Sequence, residues 1–417
     1  MPATRKLKIG IFVMAFPRHS ETFIVTKVLK LLDAGCDVHI FTMGPSDDWK
    51  QFAVLEGRDD VRERIHQVPP IGPWRRTATV GAAQVAKAAA LHPRAFARFA
   101  AHSWKARRET PMGFLKSLYA RAHFIGHDLD ILHVEFDAQG VGVADLKAVL
   151  GCRVLLSSRG TMQQLSTLDR VPGACAYLFR YADGYHFISR FLESNTERLG
   201  LPGDVPRWLI EPAIDLDLFR PRPREPRSPG SPLRVVSVGR MSWEKGYEFA
   251  LAAIARVRDA GVAVEYTIYG DGPYREPVRF AIEQLGLSRH VRLAGAIARE
   301  QMPAAYADAD VMLHAAVAEG FCNAVVEAQA MGIPVVTTDA GGLPENVIDG
   351  VTGFVVPRRD PAALAERLVR LSRDERLRHT LGAAGHDRSV SRFDLDRQAE
   401  AFLRLYEELA AQPVRPS

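Results

Sequence analysis

The sequence predicts an α/β protein made of two doubly wound domains, each built around a parallel β-sheet. The chain has 417 residues, enough for two or three domains with ample cores. Short β-rich runs alternate with helical stretches in both halves, as in parallel βαβ units. Residues 220–232 contain five prolines and four arginines, which predict a linker between the halves. Ligands of such folds bind at the carboxyl ends of the strands.

The first domain is predicted over residues 1–219. It opens with the β-rich run Lys8–Ala15, a turn, and a helix that starts at Ser20 and ends at Gly35. Its further strands are predicted at Val38–Thr42, Ile131–Val134, Val154–Ser157 and Tyr185–Ile188.

The second domain is predicted over residues 233–392, where the alternation restarts after the linker. The remaining segment, 393–417, contains a final helix at Arg397–Ala410 whose apolar side chains share one face. The strands of this domain are predicted at Arg234–Val238, Val264–Tyr269, Val291–Leu293, Val311–His314, Pro334–Thr338 and Phe354–Val356.

Composition indicates a globular protein, with 47% hydrophobic and 25% charged residues. The net charge of +5 is modest, but residues 75–125 hold ten Lys or Arg against one acidic residue, with apolar side chains interleaved. That segment is predicted either to lie on an anionic membrane surface or to be a solvated helical face. No recognition motif supports nucleic acid as a partner.

The cysteines indicate the compartment. Four widely spaced cysteines form no C-x-x-C pair, which favours free thiols in a reducing cytosol over zinc or disulfide scaffolds. Ile9–Phe16 is too short for a signal peptide, and no run of 18 apolar residues occurs. We therefore expect a cytoplasmic protein, with peripheral contact on the inner face of the cell membrane through residues 75–125 as an open alternative.

The strongest chemical motif is E-G-F-C-N-A-V-V-E, which runs from Glu319 to Glu327. It follows a predicted strand and continues into a helix for which Asn323 is the expected N-cap. A helix N-terminus binds phosphate, Glu319 could hold a sugar hydroxyl, and Glu327 could accept hydrogen bonds from ribose. Alternatively, both glutamates are surface groups beside an ordinary helix. Because Glu319 sits on a loop, its replacement by alanine is expected to lower stability little.

Two cations follow the first strand after the linker, in Gly239-Arg240-Met-Ser-Trp-Glu-Lys245-Gly246. A guanidinium fork and an ammonium at a strand-to-helix turn could grip a diphosphate. Glycine-rich turns also follow later strands, at residues 270–273 and 341–354. Taken alone, each of these stretches is a common turn.

Together, in this order and spacing, the motifs resemble glycosyltransferase family 4, of the GT-B fold. GR(x)4KG, GDGP, EGFxNxxxE and GGxPExVxDGxTGF all lie between residues 234 and 357. The resemblance implies two Rossmann-like domains facing each other across a cleft, with the final helix crossing back to the N-terminal domain. It also implies retaining transfer from a nucleoside-diphosphate sugar, UDP- or GDP-linked, without a cofactor or metal.

The resemblance assigns roles to named residues. Arg240 and Lys245 would bind the diphosphate and Glu319 the donor sugar; with Arg159 they form the expected catalytic set. The base would sit near residues 295–297 and the ribose at Glu327. The full donor-binding set would be Gly239, Gly270, Gly295, Ile297, Gly320, Phe321, Cys322, Asn323, Ala324 and Glu327.

The N-terminal domain departs from the common family pattern. F-P-x-x-S-E-T-F-I at residues 16–24 resembles a subgroup that builds exopolysaccharide and capsule repeat units. This implies acceptor-side roles for Ser20, Glu21, Thr22 and His133; Glu135 replaces the second His of that subgroup's H-x-H-F element.

Arg159 stands where most members of the family have a histidine close to the sugar. An arginine cannot act as a general base, so Arg159 would donate hydrogen bonds to sugar or acceptor, or be structural.

The predicted function is hexose transfer onto a sugar or a polyprenyl-diphosphate-linked oligosaccharide in polysaccharide biosynthesis. Two alternatives remain open: a nucleotide-sugar epimerase of the same fold, and a non-catalytic sugar-nucleotide binding subunit. An NAD-dependent oxidoreductase has little support, since no G-x-G-x-x-G follows the first strand of either domain.

Overall fold

Contacts divide the chain into two compact units. The N-terminal unit comprises Met1–Ile188, Glu193–Ile210 and Ala399–Ser417, and the C-terminal unit comprises Ser189–Leu192 and Glu211–Gln398. Most of the expected linker at 220–232 lies outside the described residues, so the domain boundaries stay a prediction. The structure is a computed structural model, which describes residues 6–18, 21–68, 74–106, 111–160, 171–221 and 230–416.

The N-terminal unit contains, in its described residues, a seven-stranded parallel sheet in the order β3-β2-β1-β4-β5-β6-β7. Five strands match the predicted ones to within two residues at either end. The sequence does not predict β3 and β7, because three-residue edge strands are too short to show a periodicity. The strands are β1 Lys8–Val13, β2 Asp37–Thr42, β3 Ile65–Gln67, β4 Ile131–Val134, β5 Arg153–Ser158, β6 Gly184–Phe187 and β7 Arg207–Leu209.

The helices of this unit pack apolar faces on the sheet; the first, for example, buries Ile24, Val28 and Leu31. The basic segment 75–125 forms three of the helices, α3 to α5. None of the helices in the described ranges has both the length and the hydropathy to cross a bilayer. The helices are α1 Thr22–Asp33, α2 Asp59–Arg62, α3 Trp74–Leu91, α4 Pro93–Ala106, α5 Pro111–Arg121, α6 Lys147–Leu150, α7 Ala174–Tyr181 and α8 Arg190–Arg198.

The C-terminal unit contains a six-stranded parallel sheet, again among the described residues, in the order β10-β9-β8-β11-β12-β13. All six strands were expected from the sequence. They are β8 Leu233–Val238, β9 Val264–Tyr269, β10 Val291–Gly295, β11 Val311–His314, β12 Val335–Thr338 and β13 Gly353–Val356. The helices are α9 Tyr247–Asp259, α10 Arg275–Gln284, α11 Met302–Ala307, α12 Asn323–Ala330, α13 Leu343–Asn346, α14 Pro361–Arg373 and α15 Glu375–Arg392.

The final helix, α16, spans Leu395–Ala411. Phe402, Leu405, Tyr406 and Leu409 on it belong to the hydrophobic core of the N-terminal unit. The apolar face of this helix therefore packs within the first unit, to which residues Ala399–Ser417 belong.

Each sheet reverses its strand order once, between β1 and β4 in the N-terminal unit and between β8 and β11 in the C-terminal unit. Loops that leave neighbouring strands in opposite directions open a crevice at such a point, where ligands of doubly wound folds bind. The chemistry of both units is concentrated there.

Candidate active site

The predicted donor residues lie at the carboxyl ends of β8 and β11, where the strand order of the C-terminal unit reverses. Lys245 closes a short helical turn, Trp243–Lys245, that follows β8. Glu319 lies in the loop after β11, five residues beyond His314. Because β8 and β11 are hydrogen-bonded neighbours, segments 74 residues apart in sequence meet at one edge of the sheet.

Lys245, Glu319 and His314 form an ion cluster, which we call the donor cluster. The Lys245 Nζ lies 2.5 Å and the His314 Nε2 3.2 Å from the same oxygen, Oε2 of Glu319. The side chains are 18%, 14% and 4% exposed for Lys245, Glu319 and His314. Glu319 is therefore a partly buried, ion-paired group, and its removal should lower stability more than its loop position suggests.

The charges of the donor cluster follow from its geometry. Burial would raise the pKa of Glu319, but Lys245 and His314 lower it to about 2. Burial also disfavours a charged His314, yet Cys322 and Glu319 raise its pKa to about 9. The Lys245–Glu319 pair is therefore ionised at neutral pH, and the His314 ring beside it has a raised pKa.

Cys322 completes a trio with His314 and Glu319 whose ligand atoms lie within 4.8 Å of one another. Such a trio could hold a metal ion, but the Lys245 ammonium already occupies a cation position on Glu319. A second positive ion there would be repelled. The expectation of metal-free chemistry stays a prediction, with Lys245 as the cation that takes the place of a metal.

Helix α12 begins beside Glu319. Cys322 is its N-cap and Asn323 its first residue, one position earlier than the sequence suggests, and no side chain caps the helix. The Cys322 backbone N–H donates to Oδ1 of Asn346 at 3.0 Å, which fixes the start of the helix. The positive end of the helix dipole thus lies in the same loop as the donor cluster.

Glu327, in the second turn of α12, has a partner that the sequence does not reveal. Tyr306 on α11 is fully buried, and its hydroxyl donates to Oε2 of Glu327 at 3.1 Å. The same hydroxyl lies 3.2 Å from the carbonyl oxygen of Ala324. Burial raises the pKa of Glu327 to about 7, against the lowering effect of Tyr306 and Arg299. Its carboxyl group therefore titrates near neutral pH.

Arg240 differs from Lys245 in exposure. Its side chain is 68% exposed, and its Nη2 lies 3.1 Å from Oε1 of Glu244, four residues on. An exposed pair of this kind contributes little to stability. Arg240 is thus a cation at the rim of the donor loops that can leave Glu244 for a ligand at small energetic cost.

The predicted glycines bring the loops together. A Cβ on Gly270 would lie 2.0 Å from the carbonyl oxygen of Gly239, and one on Gly341 would lie 2.0 Å from that of Glu319. Gly270 also donates its N–H to Gly295 at 2.8 Å. These positions therefore permit close backbone contact between the loops after adjacent strands.

Three other predicted donor residues line the same loops. Gly342 packs against the backbone of Gly320: a Cβ on Gly342 would lie only 2.1 Å from the carbonyl oxygen of Gly320. Phe321 is buried and packs edge-on against Phe393, with ring centroids 5.8 Å apart. Ile297 is half-buried in the segment that follows β10.

Glu345, in the G-G-x-P-E stretch, acts as a helix cap. Its two carboxylate oxygens accept the backbone N–H groups of Arg190 and Phe191, each at 2.8 Å. Arg190 and Phe191 belong to the C-terminal unit, as Glu345 does, and they are the first residues of α8, where N–H groups have no partner within the helix. The structure thus gives this motif glutamate a structural role.

In the N-terminal unit, the predicted acceptor-side residues differ in exposure. Glu21 is the N-cap residue of α1 and pairs with Arg18 at 3.1 Å, and Thr22 is the first helical residue. Ser20 lies outside the described residues. His133 is fully buried, with Nδ1 2.7 Å from the Tyr406 hydroxyl and Nε2 2.7 Å from Oγ of Ser157. Any effect of His133 on an acceptor would be indirect.

Arg159 belongs to a second charged group, the buried network of Lys27, His133, Glu135 and Arg159. Its Nη2 lies 3.0 Å from Oε2 of Glu135 and its Nε 3.0 Å from the Glu135 carbonyl oxygen. Lys27 forms an ion pair with the other carboxylate oxygen of Glu135. The guanidinium stacks on Phe23, 4.2 Å from the ring centroid.

These contacts define what Arg159 can do. Burial lowers the pKa of Arg159 to about 10, so it stays protonated at neutral pH and cannot act as a base. Three of its contacts hold Glu135 and Phe23 in place. Its predicted catalytic role stays a prediction, and the structure adds a structural one.

Comparisons with known proteins show what this chain is similar to. Residues 220–388 match the family described as glycosyl transferases group 1. The chain is 29% identical over 390 residues to WcaL of Salmonella typhimurium, a glycosyltransferase named for colanic acid biosynthesis, covering 88% of this chain and 91% of WcaL. It is 28% identical over 387 residues to the amylovoran biosynthesis glycosyltransferase AmsK of Erwinia amylovora, with the same coverage.

A solved structure shares the fold. HepE from Anabaena, in complex with UDP and glucose, superposes with a TM-score of 0.69 at 17% identity, covering 96% of this chain and 100% of HepE.

Proposed function

We propose that this chain, a glycosyltransferase of the GT-B fold whose residues 220–388 match the glycosyl transferases group 1 family, transfers a sugar from a nucleoside-diphosphate sugar with retention of anomeric configuration. The observation that carries the proposal is the donor cluster at the carboxyl ends of β8 and β11. It combines a positive charge, an ionised carboxylate and a helix N-terminus in one place.

The diphosphate is proposed to bind between the two cations that follow β8. Lys245 supplies a fixed charge, because Glu319 holds its ammonium, and Arg240 supplies a movable guanidinium fork. The start of α12 adds its partial positive charge. All three stabilise the negative charge that develops on the leaving nucleoside diphosphate.

Two carboxyl groups are proposed to orient the rest of the donor. Lys245 and His314 both use Oε2 of Glu319, so Oε1 is the oxygen that we expect to accept a hydroxyl of the donor sugar. Glu327 would accept hydrogen bonds from the ribose hydroxyls. Tyr306 fixes the direction of its carboxyl group from the buried side.

Retention is proposed to follow a front-face path. The bond from the anomeric carbon to the diphosphate oxygen breaks, and the acceptor oxygen bonds to the same face of the sugar. The acceptor proton passes to the departing phosphate oxygen. A covalent path would need a free carboxylate nucleophile, whereas Glu135 and Glu319 are both engaged in ion pairs.

The acceptor is proposed to be a sugar on a polyprenyl-diphosphate carrier, in polysaccharide biosynthesis. The names of the relatives WcaL and AmsK support the polysaccharide assignment. Apolar and basic side chains are adjacent and exposed on α4 and α5, at Trp104-Lys105 and Leu115-Lys116. Such pairs favour contact with an anionic membrane surface, where a lipid-linked acceptor resides.

The test is nucleotide release from a panel of UDP-, GDP-, ADP- and dTDP-sugars, measured with and without added acceptor. We expect slow hydrolysis of one donor without acceptor and faster release with a matching acceptor. An epimerase would instead change the donor sugar without releasing nucleotide. A binding subunit would shift its melting temperature with one donor and release nothing.

The matched variant is Glu319→Gln, which keeps the size of the side chain and removes its charge. We expect nucleotide release to fall about 100-fold or more, because a carboxylate contact to the reacting sugar is lost. Circular dichroism and binding of the free nucleoside check that the variant is folded. Normal release by Glu319→Gln would contradict the assignment of the donor site.

A further inference from the structure

Three histidines meet in the N-terminal unit, far in sequence from the donor-site motifs. His39 lies on β2, His66 on β3 and His127 in the loop after α5. One ring nitrogen of each lies within 4.8 Å of the corresponding nitrogens of the other two. Strand pairing builds the group: Phe41 is opposite His66, and His39 is two residues before Phe41, on the same face of the sheet.

The geometry of the three rings is close to that of a metal site. Nδ1 of His39 lies 2.9 Å from Nε2 of His66, and the rings of His66 and His127 are 4.1 Å apart between centroids. Zinc–imidazole bonds of about 2.0–2.1 Å in a tetrahedral site place ligand nitrogens about 3.3 Å apart. Small side-chain rotations would therefore bring the three nitrogens to a common ion.

The Asp37 carboxylate lies near the second ring nitrogen of His39. Oδ2 of Asp37 lies 3.6 Å from Nε2 of His39, on the side away from His66. Arg64 holds the same carboxylate through its other oxygen, with Nη1 2.7 Å from Oδ1 of Asp37. Metal-binding histidines commonly have such a carboxylate at the second ring nitrogen, where it orients the imidazole and raises its basicity.

A fourth histidine, His123, lies beside these three rings and is buried without hydrogen-bond partners among the described residues. His123 is 7% exposed, and within the described residues neither of its ring nitrogens has a hydrogen-bond partner. It packs on the ring of Phe41, as do His66 and His127, with centroids 5.9, 5.1 and 5.1 Å from it. Buried polar groups without partners are costly, and His123 places two such nitrogens on the same aromatic ring that His66 and His127 contact.

We propose that His39, His66 and His127 form a binding site for a divalent transition-metal ion of the zinc class. Imidazole nitrogens select zinc, cobalt, nickel or copper over magnesium and calcium, which prefer oxygen ligands. The three side chains are half-buried, so solvent can reach the site and supply a fourth ligand. The ion would tie β2 and β3 to the loop that follows the basic helices α3 to α5.

The experiment uses the full chain without a histidine tag, depleted of metal by a chelator. Titration calorimetry with ZnCl₂ should give one ion per chain, and Co²⁺ should give a visible absorption band from nitrogen coordination. His66→Gln and His127→Gln should each weaken zinc binding at least tenfold. His379→Gln, which removes an exposed histidine on α15, should leave it unchanged.

A further variant separates this site from the donor loop. Cys322→Ser removes a possible ligand of the His314, Glu319 and Cys322 trio, and zinc binding should persist in it. Loss of zinc binding in Cys322→Ser, with retention in His127→Gln, would overturn the proposal. So would the absence of stoichiometric binding by the native chain. His127 lies in a loop, so His127→Gln keeps the test valid if His66→Gln fails to fold.

Discussion

Two charged groups in this protein share a composition and differ in setting. The donor cluster and the buried network each contain a lysine, a glutamate and a histidine, and the glutamate of each lies after a strand at the switch point of a parallel sheet. In the donor cluster, Lys245 and Glu319 keep 18% and 14% of their side chains exposed. In the buried network, Lys27 and Glu135 keep 3% and none.

The difference in side-chain exposure suits the donor cluster to ligand binding and the buried network to a structural role. A donor must displace water and meet charged atoms, so a group that binds it keeps a path to solvent. The buried network has no such path at Glu135, whose carboxylate is shared by Lys27 and Arg159. Burial lowers the pKa of Lys27 well below its usual range, with Arg159 adding to the effect. The same residue types thus form a solvent-accessible group, proposed to bind the donor, in one unit and a buried structural group in the other.

The largest expected effect is on stability, from Glu135→Ala. The change leaves Lys27 and Arg159 buried without their anion, which should lower the free energy of unfolding by about 3–5 kcal/mol. Glu319→Ala should lower it by only about 1–3 kcal/mol, because Lys245 can reach solvent. Urea unfolding followed by circular dichroism measures both.

The control for this pair is Glu197→Ala, which breaks an exposed ion pair with Arg207 and should change stability by less than about 1 kcal/mol. Equal losses for Glu135→Ala and Glu319→Ala would remove the distinction between the two groups.

A smaller effect is expected at Arg240, on donor binding. Arg240→Ala should weaken binding of the nucleoside diphosphate about tenfold, because one charged hydrogen-bonding partner of the diphosphate is lost. Binding of the free nucleoside should change little. Arg404→Ala is the matched control, since Arg404 is 63% exposed and pairs with Glu400 at the same helical spacing. Equal weakening of nucleoside and diphosphate, measured by calorimetry, would contradict a diphosphate role for Arg240.

The smallest expected effect is the pH dependence of nucleotide-sugar affinity, which we assign to Glu327. Its pKa is raised to about 7 in the folded chain, so below pH 7 it is increasingly protonated and a poorer acceptor for ribose hydroxyls. Affinity for an intact nucleotide sugar should fall by at most about tenfold per pH unit below 7. An intact donor has no phosphate that titrates in this range. Glu327→Gln should flatten the profile between pH 5.5 and 8.

The same raised pKa has a stability consequence with a defined sign. A carboxyl group whose folded pKa exceeds its unfolded value of about 4.5 stabilises the fold below that value. This contribution is lost as the pH rises through about 7. Between pH 4.5 and 7 the melting temperature of the native chain should therefore fall more with rising pH than that of Glu327→Gln.

Much of the fold follows from local sequence patterns. Eleven strands lie where the apolar runs predict them. Most of these are central parallel strands, which are buried on both faces and therefore mostly apolar. The edge strands β3 and β7 escape prediction, since their residues are only half-buried and few. The start of α12 is displaced by one residue, because Cys322 rather than Asn323 takes the N-cap position.

The site divides in the same way. The motifs predict that Lys245 and Glu319 act together, and the pairing of β8 with β11 places them in contact. The partners His314 and Tyr306 have no motif, because a strand end and a short helix carry no signal for the group they face. The burial of His133 and the pairing of Arg159 with Glu135 are also invisible in the sequence.

By itself the sequence determined the two parallel sheets, the family of motifs and the residue types of the proposed donor site. These depend on local periodicity and on spacing within one loop or helix. The tertiary structure decided which groups are hydrogen-bonded, which charges are buried and which histidines meet on β2 and β3. Those properties depend on the distance and solvent access of residues far apart in the chain, and strand order alone brings such residues together.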